Sequence, residues 1–205
     1  MKKKVSFNIK ETINESIKTK TKLLSQSVAD IELCGRKLAE VSGSGGKILL
    51  CGNGGSAADA QHIAAELIIR FRSQVHRPSI PALALSVDPS IMTAGGNDIG
   101  FDNVFARCVE GYGKEGDALI GISTSGNSEN VFRAIQTAKQ QNMITFGLLG
   151  SGGGKILPEC DYSVVVDSKV TARIQESHIL IGHIWCEMIE DILFEGILNK
   201  KNLKK

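Results

Sequence analysis

The chain has 205 residues, 42% of them apolar and 22% charged, with a formal net charge of +2. This suits one soluble domain with a full core, and a charge so near zero argues neither for nor against a polyanionic partner. Five cysteines, at 34, 51, 108, 160 and 186, are odd in number and contain no C-x-x-C pair, which excludes a disulfide or zinc-finger framework and points to free thiols in the cytoplasm.

The chain begins with "MKKK" and ends with "KKNLKK", basic runs without interleaved aromatics that read as solvated tails, so no nucleic-acid partner is expected. The stretch after the first lysines lacks the apolar core of a signal peptide, and no apolar run approaches a membrane span. Residues 8–42 read as one long helical segment. Then come five short apolar runs, "KILLCG" (47–52), "ALALSV" (82–87), "DALIGIS" (117–123), "ITFGLLG" (144–150) and "YSVVVD" (162–167). They are continuous instead of alternating, as strands buried on both faces are.

Helical stretches over 56–71, about 100–112 and 127–141 separate the strands, which implies an α/β fold with a parallel sheet and right-handed crossovers. "GSGGGK" (150–155) reads as a flexible loop. A helix over 172–198 closes the chain and is so apolar that it needs more than one neighbour to cover it.

Two loops carry the chemistry. "CGNGGSAA" ends the first strand and starts a helix; Gly52, Gly54 and Gly55 let backbone N–H groups approach an anion at the helix end. Gly52, Gly54 and Ala57 also match a relaxed dinucleotide fingerprint. The acidic residue that fingerprint needs about 20 positions later is missing, since the second strand runs on to Asp88. The second loop, "ISTSGNSENV" (122–131), offers the hydroxyls of Ser123, Thr124, Ser125 and Ser128. These exceed the needs of a helix cap and suit a phosphate monoester. With no Walker lysine, a nucleoside triphosphate is not expected.

The helix over 56–71 has one narrow polar line, Asp59, His62, Glu66 and Arg70, with His62 and Glu66 four apart on one face. Alone, that line reads first as a solvated stripe of ion pairs. On the last helix Gln175 and His183 lie eight residues apart, roughly 80° around the axis, and Glu176 is nearer the azimuth of His183. His178 points elsewhere and reads as a packing or capping residue.

Taken together, "CGNGGSAADAQHIAAEL", "GGNDIGFDNVFAR", "ISTSGNS" and "ARIQESHILIGH" resemble the SIS (sugar isomerase) family, more narrowly its phosphoheptose isomerase branch, over essentially the whole chain. The resemblance implies one SIS domain over 1–205, a flavodoxin-like αβα sandwich with a five-stranded parallel sheet and long N- and C-terminal helices. Residues 1–44 would serve oligomerisation and 45–205 form the core and last helix. It implies a homotetramer, with a phosphosugar lying across subunit boundaries.

By matching position, the resemblance implies substrate binding by Asn53, Gly54, Gly55, Glu66, Asn97, Asp98, Ser123, Thr124, Ser125, Ser128 and Gln175, and so selects Gln175 over Glu176. It implies zinc held by His62, Glu66, Gln175 and His183. The implied reaction interconverts sedoheptulose 7-phosphate and D-glycero-D-manno-heptose 7-phosphate, supplying a surface glycan such as lipopolysaccharide.

Moving a carbonyl from C2 to C1 through an enediol needs a base and a group that protonates oxygen; Glu66 is the expected base and His183 the expected acid. A related tetrameric adaptor of the replication initiator, which lacks both residues, is the non-enzymatic alternative. Isomerisation of another phosphosugar is a second.

Overall fold

A computed structural model describes residues 8–202, with side chains through 194; residues 1–4 and the side chains of 200–205, the two basic tails, lie outside those bounds. In chain order the elements are α1 (Ile9–Gln26), α2 (Val28–Gly43), β1 (Ile48–Gly52), α3 (Gly55–Ile68), β2 (Ala82–Ala84), α4 (Pro89–Asp98), α5 (Phe101–Tyr112), β3 (Ala118–Ser123), α6 (Glu129–Gln140), β4 (Ile144–Gly150), β5 (Tyr162–Val166) and α7 (Thr171–Asn202). A short 3-10 turn, Leu157–Glu159, precedes β5.

All four strand pairings are parallel, in the order β2-β1-β3-β4-β5. The apolar runs became fully buried strands because helices cover both faces: every residue of β1 and β3 is buried. One face of the sheet packs against α2, α3 and α7, around Leu50, Ile63, Ile120 and Trp185. The other packs against α5 and α6, around Phe105, Leu119 and Ile135.

The strand order reverses between β1 and β3, so the crevice for a ligand opens at their carboxyl ends, where both loops of interest begin.

Four expectations need correction. The first helical segment is two helices: Ser27 leaves helical geometry at φ −121°, ψ 3°, capping α1 through its N–H to Leu23 O. β2 is shorter than expected, because the chain leaves the sheet after Leu85 to enter α4. The helix α4 was not foreseen, although its start is legible: Asp88 Oδ1 accepts from the N–H groups of Ser90 (2.8 Å) and Ile91 (3.1 Å), and Pro89 fills the first turn. Finally, 150–155 is not a free loop, as the site geometry below makes plain.

The last helix is covered as its composition demanded. Ile174, Ile181, Trp185, Cys186 and Ile189 are all buried, and Trp185 donates its indole N–H to Ile31 O at 3.0 Å. The helix path breaks at Phe194.

Candidate active site

The β1–α3 turn depends on Gly54, whose φ of +56° is a left-handed conformation that side chains resist. Beyond it α3 runs parallel to α7, with contacts at a near-constant offset: Phe71 meets Glu190 at 119 residues, and His62 meets His183 at 121. The two helices approach closely at Gly182, where a Cβ would stand 2.5 Å from Ile63 Cδ1.

That approach brings the polar line of α3 against α7. His183 Nε2 lies 3.3 Å from His62 Nε2, the rings are edge-on with centroids 4.9 Å apart, and His62 Nε2 lies 3.2 Å from Glu66 Oε1. Phe71 closes one side of His183 at 5.3 Å between ring centroids. Burial, then the neighbouring His62, holds His183 below the ordinary imidazole range, against the opposing pull of Glu66. Asp59, one turn before His62, is pushed up to about 6 by burial despite His62, and its Oδ2 is buried without a hydrogen-bond partner.

Gln175 sits at the glycine turn: a Cβ on Gly55 would overlap its side-chain amide. Glu176 faces the other way, accepting from Ser16 Oγ at 2.7 Å and pairing with Arg173. Of the two, Gln175 is the one beside the glycine turn.

Among the described residues no group of three or more His, Cys, Asp or Glu side chains is arranged as a ready metal site. His62, Glu66 and His183 have the donor chemistry for zinc, and the two distances from His62 Nε2, 3.2 Å to Glu66 Oε1 and 3.3 Å to His183 Nε2, are near the spacing of about 3.3 Å between donors of a tetrahedral zinc. Gln175 stands apart from the trio, since Gly55 precedes His62 by two turns of α3, roughly 10 Å.

The hydroxyl loop has an internal order that the sequence did not reveal. Ser123 is buried and its hydroxyl is shared with Ser128 Oγ at 2.9 Å, so it orients Ser128 instead of standing free. Ser125 Oγ accepts from Asn127 N–H at 3.1 Å, and Thr124 is half-buried.

Asn53 is also engaged: it and buried Asn130 exchange two amide hydrogen bonds of 2.9 Å, and Asn130 Oδ1 accepts from its neighbour's N–H. This pair ties the two loops together across the switch point. Asn130 was missed because a second asparagine in "SGNSEN" has no spacing signal of its own.

The 150–155 stretch clasps that same loop. Ile156 N–H donates to Gly126 O and Lys155 N–H to Asn127 Oδ1, both at 3.0 Å, and a Cβ on Gly126 would collide with Gly153 O. Lys155 lies over the Phe132 ring and pairs with Glu129. Burial raises Glu129, but Lys155 and Arg133, the stronger influences, hold it below the usual carboxylate range. Asn97 and Asp98 are exposed at the end of α4, bonded to each other at 2.7 Å.

His178 is buried, as a packing residue should be, with Nε2 at 3.0 Å from Leu149 O. Also unforeseen is a buried network behind the site. Glu190, fully buried on α7, accepts from Phe71 N–H (2.9 Å), Arg72 Nε (3.0 Å) and Arg77 Nε (2.8 Å).

A model of the SIS domain matches residues 12–150. A phosphoheptose isomerase of Chlorobaculum parvum is 57% identical over 76% of this chain and 75% of its own. One from Aneurinibacillus thermoaerophilus is 50% identical over 92% and 95%. Among solved structures, a phosphoheptose isomerase of Neisseria gonorrhoeae superposes with a TM-score of 0.84 at 41% identity, over 89% of this chain and 97% of that one. Another from Francisella tularensis gives 0.85 at 35% identity, over 89% and 96%.

Proposed function

This chain belongs to the SIS domain family, within its phosphoheptose isomerase branch, and from that premise we propose that it interconverts sedoheptulose 7-phosphate and D-glycero-D-manno-heptose 7-phosphate. It is an enzyme, an aldose–ketose isomerase of a heptose precursor. The observation that carries the reading of the site is the meeting of Glu66, His62 and His183 from two helices, beside a glycine turn that holds Gln175.

In the ketose-to-aldose direction, Glu66 takes a proton from C1 while His183 protonates the carbonyl oxygen at C2, giving the enediol. The proton on Glu66 then returns to C2 as the C1 hydroxyl gives its own proton to His183, leaving the aldehyde and restoring both groups. Held below the usual imidazole range, His183 meets the carbonyl as a neutral N–H donor. Ser128, oriented by Ser123, with Thr124 and Ser125 takes the phosphate at the N-terminus of α6. Asn53, Gly54, Gly55 and Gln175 border the sugar from the other loop, and Asn97 and Asp98 reach it at a subunit boundary.

His62, Glu66 and His183 would hold zinc; Gln175, which sits at the glycine turn about two helical turns away, is the fourth ligand that the family resemblance implies. Bound there, zinc supplies Lewis-acid polarisation of the carbonyl. A carboxylate holding a metal would be a weaker base, so the roles of Glu66 as metal ligand and as base compete.

A homotetramer is supported by apolar side chains left in solvent, Ile9, Ile13 and Ile17 in one line on α1 and Ile69 beyond α3. Five free cysteines support a cytoplasmic setting, and no helix among the described residues is long and apolar enough to cross a membrane. The product would feed the heptose of a surface glycan.

The test is turnover of sedoheptulose 7-phosphate by the purified protein beside Glu66→Gln and His183→Gln. Aldose product that vanishes in both variants is expected; a folded wild type with no turnover sinks the reading.

A further inference from the structure

We propose that Arg77 and Glu190 form a positioning clamp for the isomerisation, setting the axial register of α3 against α7 and with it the spacing of Glu66 and His183. The inference rests on the assignment of Glu66 and His183 as the reacting pair.

Helix α3 ends two residues after Glu66, and its last carbonyls have no partner within the helix. The Arg77 side chain is fully buried and serves them: Nη2 donates to Glu66 O at 2.8 Å, and Nη1 to Leu67 O at 2.8 Å and Pro78 O at 3.0 Å. Its Nε donates to Glu190 Oε1 at 2.8 Å. The planar fork of a guanidinium can hold all of these at once, whereas an ammonium has no such geometry.

Glu190 lies two helical turns beyond His183 on α7 and also accepts from Phe71 N–H, whose ring stands against His183. A closed path therefore runs from the backbone of Glu66 through Arg77, Glu190 and Phe71 to the imidazole of His183. It spans the two helices one to two turns beyond the reacting groups.

Stability alone does not account for the pair. Taking a guanidinium and a carboxylate out of water offsets most of their mutual attraction, and apolar residues of like volume would fill the space at no loss. Apolar residues could not grip two helix-end carbonyls and an N–H in fixed geometry. The clamp's distinctive contribution is geometric, and a misplacement of about 1 Å at a reacting pair costs up to roughly a hundredfold in rate.

The experiment compares wild type, Glu190→Gln and Arg77→Ala, with kcat expressed per folded molecule, Tm, and the NOE between the His62 and His183 rings. Only four histidines are present, so that cross-peak can be assigned. We expect about tenfold lower kcat in Glu190→Gln with KM within about twofold, and about a hundredfold lower kcat in Arg77→Ala. Added guanidinium should restore part of that kcat saturably, and with it the NOE, while urea does not.

Wild-type kcat and an intact NOE in both folded variants, with only Tm reduced, would overturn the clamp and leave a purely structural pair. If Arg77→Ala does not fold, Glu190→Gln decides alone by the same kcat and NOE criteria. An inactive wild type, or an active Glu66→Gln, defeats the functional reading instead, and the NOE still reports on the clamp.

Discussion

His62 and His183 face each other nitrogen to nitrogen at 3.3 Å from residues 121 apart in the chain, because α3 and α7 touch at Ile63 and Gly182. A methyl group at residue 182 has no room there. Gly182→Ala should part the helices, destabilise the protein by about 1–3 kcal/mol through overpacking, and lower kcat at least about tenfold. Thermal melts and turnover on one preparation check this; unchanged kcat would show that the histidine contact does not matter to the reaction.

The reciprocal amide pair of Asn53 and Asn130 should govern binding more than chemistry. Asn130→Ala removes both hydrogen bonds that the pair exchanges, at a cost of about 1–3 kcal/mol for a group left unpaired, and frees the glycine turn from the hydroxyl loop. KM for the phosphosugar should rise about tenfold with little change in kcat. A double-mutant cycle with Asn53→Ala should be strongly non-additive, and simple additivity would contradict the coupling.

His178 gives a signed dependence of stability on pH. Burial lowers it from 6.5 to about 4 despite the hydrogen bond to Leu149 O, so the fold favours the neutral ring. Its contribution is complete above pH 6.5 and is lost as pH falls toward 4, by up to roughly 3 kcal/mol. Chemical denaturation across that window should show a shallower loss in His178→Gln, whose amide can still donate to Leu149. Parallel curves for the two proteins would rule the histidine out as the cause.

The donor chemistry of His62, Glu66 and His183 is the basis for the proposed zinc site. Metal analysis of the purified protein should find a single zinc per subunit, lost on treatment with a chelator together with most of the activity and regained on adding zinc. His62→Ala should bind zinc at least about tenfold more weakly. Full activity in metal-free protein would remove zinc from the chemistry and leave Glu66 as an unencumbered base.

Much of this could be read from the residues in order. Continuous apolar strands such as Ala118–Ser123 between helical segments dictate a parallel sheet, since only helices on both faces can bury them. The glycine turn and the hydroxyl loop are legible for the same reason: a left-handed backbone at Gly54 and a cluster of serines are properties of a few neighbouring residues. The helix after Asp88-Pro89 carried its own start signal as well, though it lay inside what read as strand and loop.

Long-range partners are another matter. Nothing in the spacing of Arg77 and Glu190, or of Asn53 and Asn130, says that they bond, because each is placed by the packing of a helix or loop on the sheet and not by its neighbours in the chain. Helical periodicity favoured Glu176 over Gln175. The close approach of α7 to Gly55 turned Gln175 inward, while Arg173 and Ser16 engaged Glu176 on the opposite side. Local patterns thus specify the elements and the chemistry they carry; which side chains converge is set by helix register, and that register depends on contacts between residues more than a hundred positions apart.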